Sequence, residues 1–308
     1  MTASARLTRW VAGALFAACA ACAFAGSGAS SRYCDVESRL NVADKDRLLR
    51  FAALIRAELD RSGAEAAIVA RTGLDLARWD IRHSHAGISV KNGADTPWSV
   101  RQLYYACDEG RARIFDQGLA AFLLGAEQPT LGQVSVVLLP PAAAEPLKRA
   151  ALDNRLALAL LAGSYSANAY AFSTRYQNCN QWLVELLAAA WGGIAPGPEA
   201  REQAQRWLAE QHYEPTRVEV GWRVVMWAGA VFVPWIHNDD HPEGDLVAAR
   251  YRISLPAAVE GLARAQLPQA ERLQFCHTTQ HMLVRRGWGA ELPATCEPAA
   301  GDEVLALD

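Results

Sequence analysis

The chain carries no long basic run and no RNA-binding aromatic motif, and its formal net charge is only -3 over 308 residues. Those absences exclude a nucleic-acid or anionic-membrane partner held by general electrostatics. No internal repeat and no long low-complexity segment occurs, which excludes solenoids and arrays. Beyond residue 25 no stretch is long and apolar enough to span a bilayer. What is present is a hydrophobic fraction of 51%, enough for a sizeable core, so a folded rather than disordered chain is expected.

The N-terminus is different in kind. Arg6 and Arg9 precede an uncharged, alanine-rich run from Val11 to Ala25, ending in Ala23-Phe24-Ala25 and followed by Gly26-Ser27-Gly28. A basic region, an apolar region and an A-x-A site in that order predict a signal peptide over 1–25, cleaved near Ala25, and an exported mature chain, periplasmic or secreted. An uncleaved anchor would need about 20 apolar residues. Lipoprotein processing at Cys19 or Cys22 would want a Leu three residues earlier, and neither has one.

Cleavage would remove Cys19 and Cys22 and leave Cys34, Cys107, Cys179, Cys276 and Cys296. An odd number in an oxidising compartment points to a free thiol. Cys276 with Cys296, and Cys34 with Cys107, are the candidate disulfides; if both form, Cys179 is the one left over.

Apolar periodicity predicts a helix over 44–60, strands over 66–70, 86–90 and 98–106 with a hairpin turn at Asn92-Gly93 between the last two, and a strand over 133–139. Helices follow over 145–161 and 178–191, with the polar, aromatic loop 164–177 between them. Gly192-Gly193 and Pro196-Gly197-Pro198 mark the best internal boundary. It divides a core of 26–193 from a C-terminal α/β extension of 194–308. In the extension the pattern predicts a helix over 199–211, strands near 217–227, 231–235 and 249–254, a loop over 237–244 and a helix over 256–265. Mixed elements without regular alternation make the chain α+β.

Chemistry concentrates at Tyr176-Gln177-Asn178-Cys179-Asn180-Gln181-Trp182, directly before an apolar helical run. With Asn178 as N-cap, Cys179 is the first helical residue, its sulfur close to unpaired backbone N–H groups. That placement is expected to favour thiolate over thiol, and the same N–H groups can hold an oxyanion. His85, in His83-Ser84-His85-Ala86-Gly87, can serve as base from a strand end. Folding the 86–106 hairpin sets Gln102 roughly opposite His85, where its amide oxygen can accept the ring N–H. Spacing alone does not choose between His83 and His85; His85 is preferred because Ala-Gly-Ile follows it.

At these residues the chain resembles the circularly permuted NlpC/P60 branch of papain-like enzymes, which includes lecithin retinol acyltransferase relatives. More closely, Arg82 to Gly87, Gln177 to Trp182 and His237-Asn238-Asp239-Asp240-His241-Pro242 are similar to segments of DUF2145, an exported bacterial family. The resemblance implies a papain-like core in which Cys179 is nucleophile, His85 base and Gln102 the third polar residue, where relatives carry His or Glu. It implies no cofactor. The substrate class would be a small molecule, peptide or lipid with an amide, thioester or ester bond.

Blander readings stand beside these. Cys179 could be half of a disulfide and His85 a hydrogen-bonded structural residue. Tyr176 and Asn178 are candidates for substrate or oxyanion contacts, although a packing tyrosine is the commoner outcome. His237, Asp239, Asp240 and His241 could ligate a divalent metal; the alternative is a self-capped turn. The function expected is an exported cysteine hydrolase or acyl-transfer enzyme, the alternative a non-catalytic exported binding protein on the same fold.

Overall fold

A computed structural model describes residues 40–74, 76–91, 97–106, 109–124 and 131–306. The signal-peptide segment, Cys34, Cys107 and the hairpin turn at 92–96 lie outside the described residues.

Helix α1 (Val42–Ser62) starts at Asn41, whose side chain accepts the Asp44 N–H at 2.8 Å. It stops at Gly63, which takes the left-handed conformation that glycine adopts without steric cost. Then come β1 (Ala66–Arg71), β2 (His85–Lys91), β3 (Trp98–Ala106), β4 (Arg111–Gly118), α2 (Leu119–Leu124), β5 (Gly132–Leu138), α3 (Pro141–Leu152) and α4 (Asn154–Ala159). The second half supplies α5 (Cys179–Gly192), α6 (Ala200–Glu210), β6 (Thr216–Glu219), α7 (Arg223–Phe232), α8 (Glu243–Val247), β7 (Arg250–Ile253), α9 (Pro256–Gln266), β8 (Glu271–His277), β9 (His281–Arg286) and β10 (Glu303–Ala306).

The fold is α+β. Eight strands form one antiparallel sheet in the order β10-β9-β8-β5-β1-β2-β3-β4. The C-terminal strands therefore continue the sheet of the first half through β5–β8 pairing rather than forming a sheet of their own. Both sheet faces are covered, which is why β1 is apolar at every position but its last instead of alternating. Ile68, Ile88, Leu103 and Val137 face α3, α5 and α9 through Leu147, Trp182, Leu186 and Val259. Val69, Val100 and Val136 face α1 and α2 through Phe51, Ile55 and Phe122.

Several expectations need correction. The strands expected near 217–227 and 231–235 are the short β6 and the helix α7. The apolar, β-branched run reads as strand, but β6 has only the four-residue β7 to pair with, and the register ends at Glu219↔Arg250. The single helix expected over 145–161 is broken at Asp153, whose side chain caps α4 by accepting the Arg155 and Leu156 N–H groups. Strand β4 is not expected from the sequence because only Ala112 and Ile114 turn inward, between Arg111, Arg113 and Asp116, too short an apolar alternation to signal a strand.

The Cys276–Cys296 disulfide forms, with Cα atoms 5.8 Å apart. Cys179 is free.

Candidate active site

Cys179 opens α5 as predicted. Asn178 is the N-cap: its side-chain oxygen accepts the Gln181 N–H at 2.7 Å, and its Nδ2 donates to Ala167 and Ser254 carbonyls. Gln177 donates to the Leu160 carbonyl at 2.8 Å and to Glu185 at 2.6 Å, and accepts the Ala162 N–H. Asn180 Nδ2 donates to the Ser84 carbonyl at 3.0 Å, and Trp182 Nε1 to the Ala157 carbonyl at 3.2 Å. Gln181 Nε2 reaches the Ser173 carbonyl at 3.1 Å. Each of these side chains anchors the helix start or the preceding loop. Asn178 is thus occupied as a buried cap, and the thiol meets only the N–H groups of the helix start.

Behind the motif stands a buried carboxylate. Glu185, fully enclosed, accepts from Arg201 Nε at 2.9 Å, Arg201 Nη2 at 3.0 Å, Gln205 at 3.0 Å and Gln177 at 2.6 Å. Arg201 also donates to the Thr174 and Tyr176 carbonyls. One satisfied ionic network therefore fixes the chain entering Cys179.

His85 begins β2, and its Nε2 is hydrogen-bonded to Gln102 Oε1. An amide oxygen can only accept, so Nε2 carries the proton and Nδ1 is the basic nitrogen. The β2–β3 register runs Ile88↔Arg101. Continued one step, it sets Gln102 beside Gly87 rather than directly opposite His85. Gly87 makes the pair possible: a Cβ there would lie 2.7 Å from Val100 Cγ1, 2.9 Å from the Arg101 carbonyl oxygen and 3.3 Å from Gln102 Cβ.

The imidazole lies 5.8 Å from the Phe122 ring, on the sheet face that α1 and α2 cover. The body of α5 covers the opposite face. The Asn180–Ser84 bond ties the first turn of α5 to the residue before His85, at the start of β2. Among the described residues no hydrogen bond joins Cys179 to His85.

Arg71, the cross-strand partner of His85 on β1, is the charge that acts on both. Burial pushes the Cys179 thiol up to about 11, opposed by the N–H groups of Asn180 and Cys179 and by Arg71. Burial, reinforced by Arg71, pushes His85 down to about 3 against its bond to Gln102. The two N–H groups and the guanidinium favour the thiolate, as the helix-start placement leads one to expect, and the burial of this half-buried thiol opposes them.

His83 does not share this setting. Its neighbours are Glu291, Arg272 and Arg82, and burial holds it down to about 4. Tyr176 stacks on His237 at 4.3 Å, its hydroxyl donating to Asp239 at 3.3 Å. Asp239 also pairs with Arg175 at 2.6 Å, Asp240 accepts the Tyr170 N–H at 2.9 Å, and His241 Nε2 bonds the Asn168 carbonyl at 2.7 Å. The 237–241 segment thus clamps the 164–177 loop. Among the described residues no group of three or more His, Cys, Asp and Glu side chains is placed to hold a metal.

Two neighbours of the thiol escaped the sequence reading. Arg71 was signalled only as a charge closing an apolar strand. Tyr165, in the aromatic loop, lies close enough to Cys179 for the two ionisations to oppose each other. It stacks on Tyr105 at 4.7 Å, and Trp235 lies 5.8 Å from Tyr105. An aromatic wall therefore leads away from the sulfur.

Cys179 is thus a free cysteine at a capped helix start, and His85 and Gln102 form a hydrogen-bonded pair on β2 and β3. The family model for DUF2145, described as an uncharacterized protein conserved in bacteria, matches residues 58–262, and the chain belongs to that family. The match takes in Cys179, His85, Gln102 and the 237–241 clamp, and ends before β8. No curated protein and no solved structure matches the chain.

Proposed function

We propose that this protein is an exported cysteine hydrolase or acyl-transfer enzyme on a permuted papain-like core, acting on an amide, thioester or ester of the cell envelope. The observation that carries the reading is Cys179 itself: free, at the first position of α5, with its own N–H and that of Asn180 directed at the sulfur. Those two donors suit the oxyanion formed when the sulfur adds to a carbonyl.

In the reaction Sγ attacks the carbonyl carbon as its proton passes to His85 Nδ1, with Gln102 holding the ring through Nε2. The bond to the leaving amine, thiol or alcohol breaks, and His85 returns the proton to that group. Water, or an acceptor hydroxyl or amine, then attacks the thioester and regenerates the thiol. In this scheme thiolate and imidazolium form together and offset each other's charge.

The test is to incubate the protein with p-nitrophenyl esters, acyl thioesters and peptidyl anilides, and to look by mass spectrometry for a hydroxylamine-labile acyl adduct. The expected result is an adduct on Cys179 that is lost in Cys179→Ala and slowed in His85→Ala. Absence of an adduct with all three classes sinks the enzyme reading. One observation favours a second reading, a non-catalytic exported binding protein: thiol and imidazole make no hydrogen bond to each other. That reading predicts ligand binding that survives Cys179→Ala.

A further inference from the structure

Helix α7 is built the wrong way out for a water-facing helix. Of its side chains only Met226 is buried, joining the small cluster of Val218, Tyr251 and Ile253. Trp222 at the N-cap is 72% exposed, Trp227 61% and Phe232 67%, and Val224, Val225 and Val231 are about half exposed or more. Around the helix Val224, Val231 and Phe232 lie across from Met226, Val225 and Trp227 lie on the two flanks, and Trp222 stands just before the first turn. Together they leave roughly 700 Å² of apolar surface in water, taking about 200 Å² for a whole aromatic side chain. Patches on monomers rarely exceed a few hundred Å² without an interaction role.

From 224 to 236 the chain has no charged residue, and Arg223 at the helix start is exposed, with no acidic partner among the described residues. Two tryptophans and one cation on an uncharged apolar face match the boundary of a lipid layer, where the indole rings enter with the apolar face and the guanidinium stays at the wet headgroups. A second copy fits less well. The patch's roughly 700 Å² lies in the lower half of the ~600–1,000 Å² that each partner of a standard interface contributes, but an all-apolar face lacks the side-chain hydrogen bonds such an interface contains.

We infer that α7 is an interfacial helix that seats the protein on a lipid surface, with Trp222, Trp227 and Phe232 immersed and Arg223 at headgroup level. The overall negative charge gives no general attraction, so apolar burial carries the attachment. The position has a consequence that rests on the proposed thiol site. Trp235, three residues beyond the helix, holds the Ala167 N–H through its carbonyl at 2.8 Å and adjoins the Tyr105–Tyr165 wall that reaches Cys179. A lipid-borne acyl chain would enter along that wall.

The experiment uses the full chain with vesicles of phosphatidylethanolamine and phosphatidylglycerol containing brominated acyl chains, which quench only immersed tryptophan. The wild type should show quenching that Trp222→Phe/Trp227→Phe removes in large part. A Trp227→Glu/Phe232→Glu variant should lose all α7-dependent quenching, each aromatic contributing enough burial to shift partitioning at least about tenfold. Equal quenching in wild type and the Trp→Phe variant overturns the inference. So does a concentration-dependent dimer, seen by analytical ultracentrifugation, that the Glu variant abolishes. Far-UV circular dichroism establishes that the variants fold. Cys179→Ala should be quenched like wild type, so a failed thiol chemistry and a failed lipid seat are read separately.

Discussion

The ionisation of Cys179 gives the sharpest quantitative test. With the thiol pushed up to about 11, only about one molecule in ten thousand is thiolate at pH 7, against about one in thirty for a free cysteine near 8.5. A thiolate of higher pKa is intrinsically more nucleophilic, by about tenfold over this interval for a Brønsted slope near 0.45. The iodoacetamide rate at Cys179 should therefore be about 20- to 30-fold below that of free cysteine at pH 7, before any loss of access is counted. Between pH 7 and 10 its logarithm should climb by about one per pH unit without levelling, whereas free cysteine levels off near 8.5. The assay is timed alkylation of native protein with the modified residue mapped by mass spectrometry. Arg71→Met should slow labelling further, because the guanidinium favours the thiolate. A plateau below pH 8 would refute the reasoning, showing that the N–H groups and His85 together overcome burial.

Gly87→Ala should cost about 1–3 kcal/mol in urea unfolding, because the Arg101 carbonyl oxygen 2.9 Å from the new methyl cannot rotate away; acylation of Cys179 should fall with it as Gln102 is pushed off His85. Glu185→Ala should cost about 3–5 kcal/mol by leaving Arg201 as an uncompensated buried cation, with Glu185→Gln milder; equal stability by denaturant titration would refute this. Acid should weaken the fold through its histidines: burial holds His83 and His277 down to about 4 and His85 to about 3. Each contributes stability that is complete above the unfolded value of about 6.5 and is lost as pH falls toward those numbers, by at most about 1.4 kcal/mol per pH unit. Urea midpoints that stay flat from pH 7 to 5 would contradict this, and His277→Asn should soften the decline.

Local physics made the site's parts legible in the sequence. An asparagine before an apolar run caps a helix wherever that run goes, so Asn178 placed Cys179 at the start of α5 without any tertiary information. Apolar runs bounded by turn residues located β1, β2, β3 and β5, and cysteine parity in a chain expected to be exported pointed to the Cys276–Cys296 bridge and to Cys179 as the cysteine left over. Other features depended on what each segment met in space. The run from Val224 to Phe232 has strand propensity but no strand to pair with, so it became a helix and left its apolar face in water. Helix-terminal N–H groups favour a thiolate in isolation, yet the packing of α5 against the sheet half-buries Cys179 and opposes that charge. Glu185 and Arg201, sixteen residues apart on two helices, and Arg71 beside His85 have no local signature. Charge pairing and desolvation are set by distances between segments that the sequence does not encode locally, so only the tertiary structure decided them.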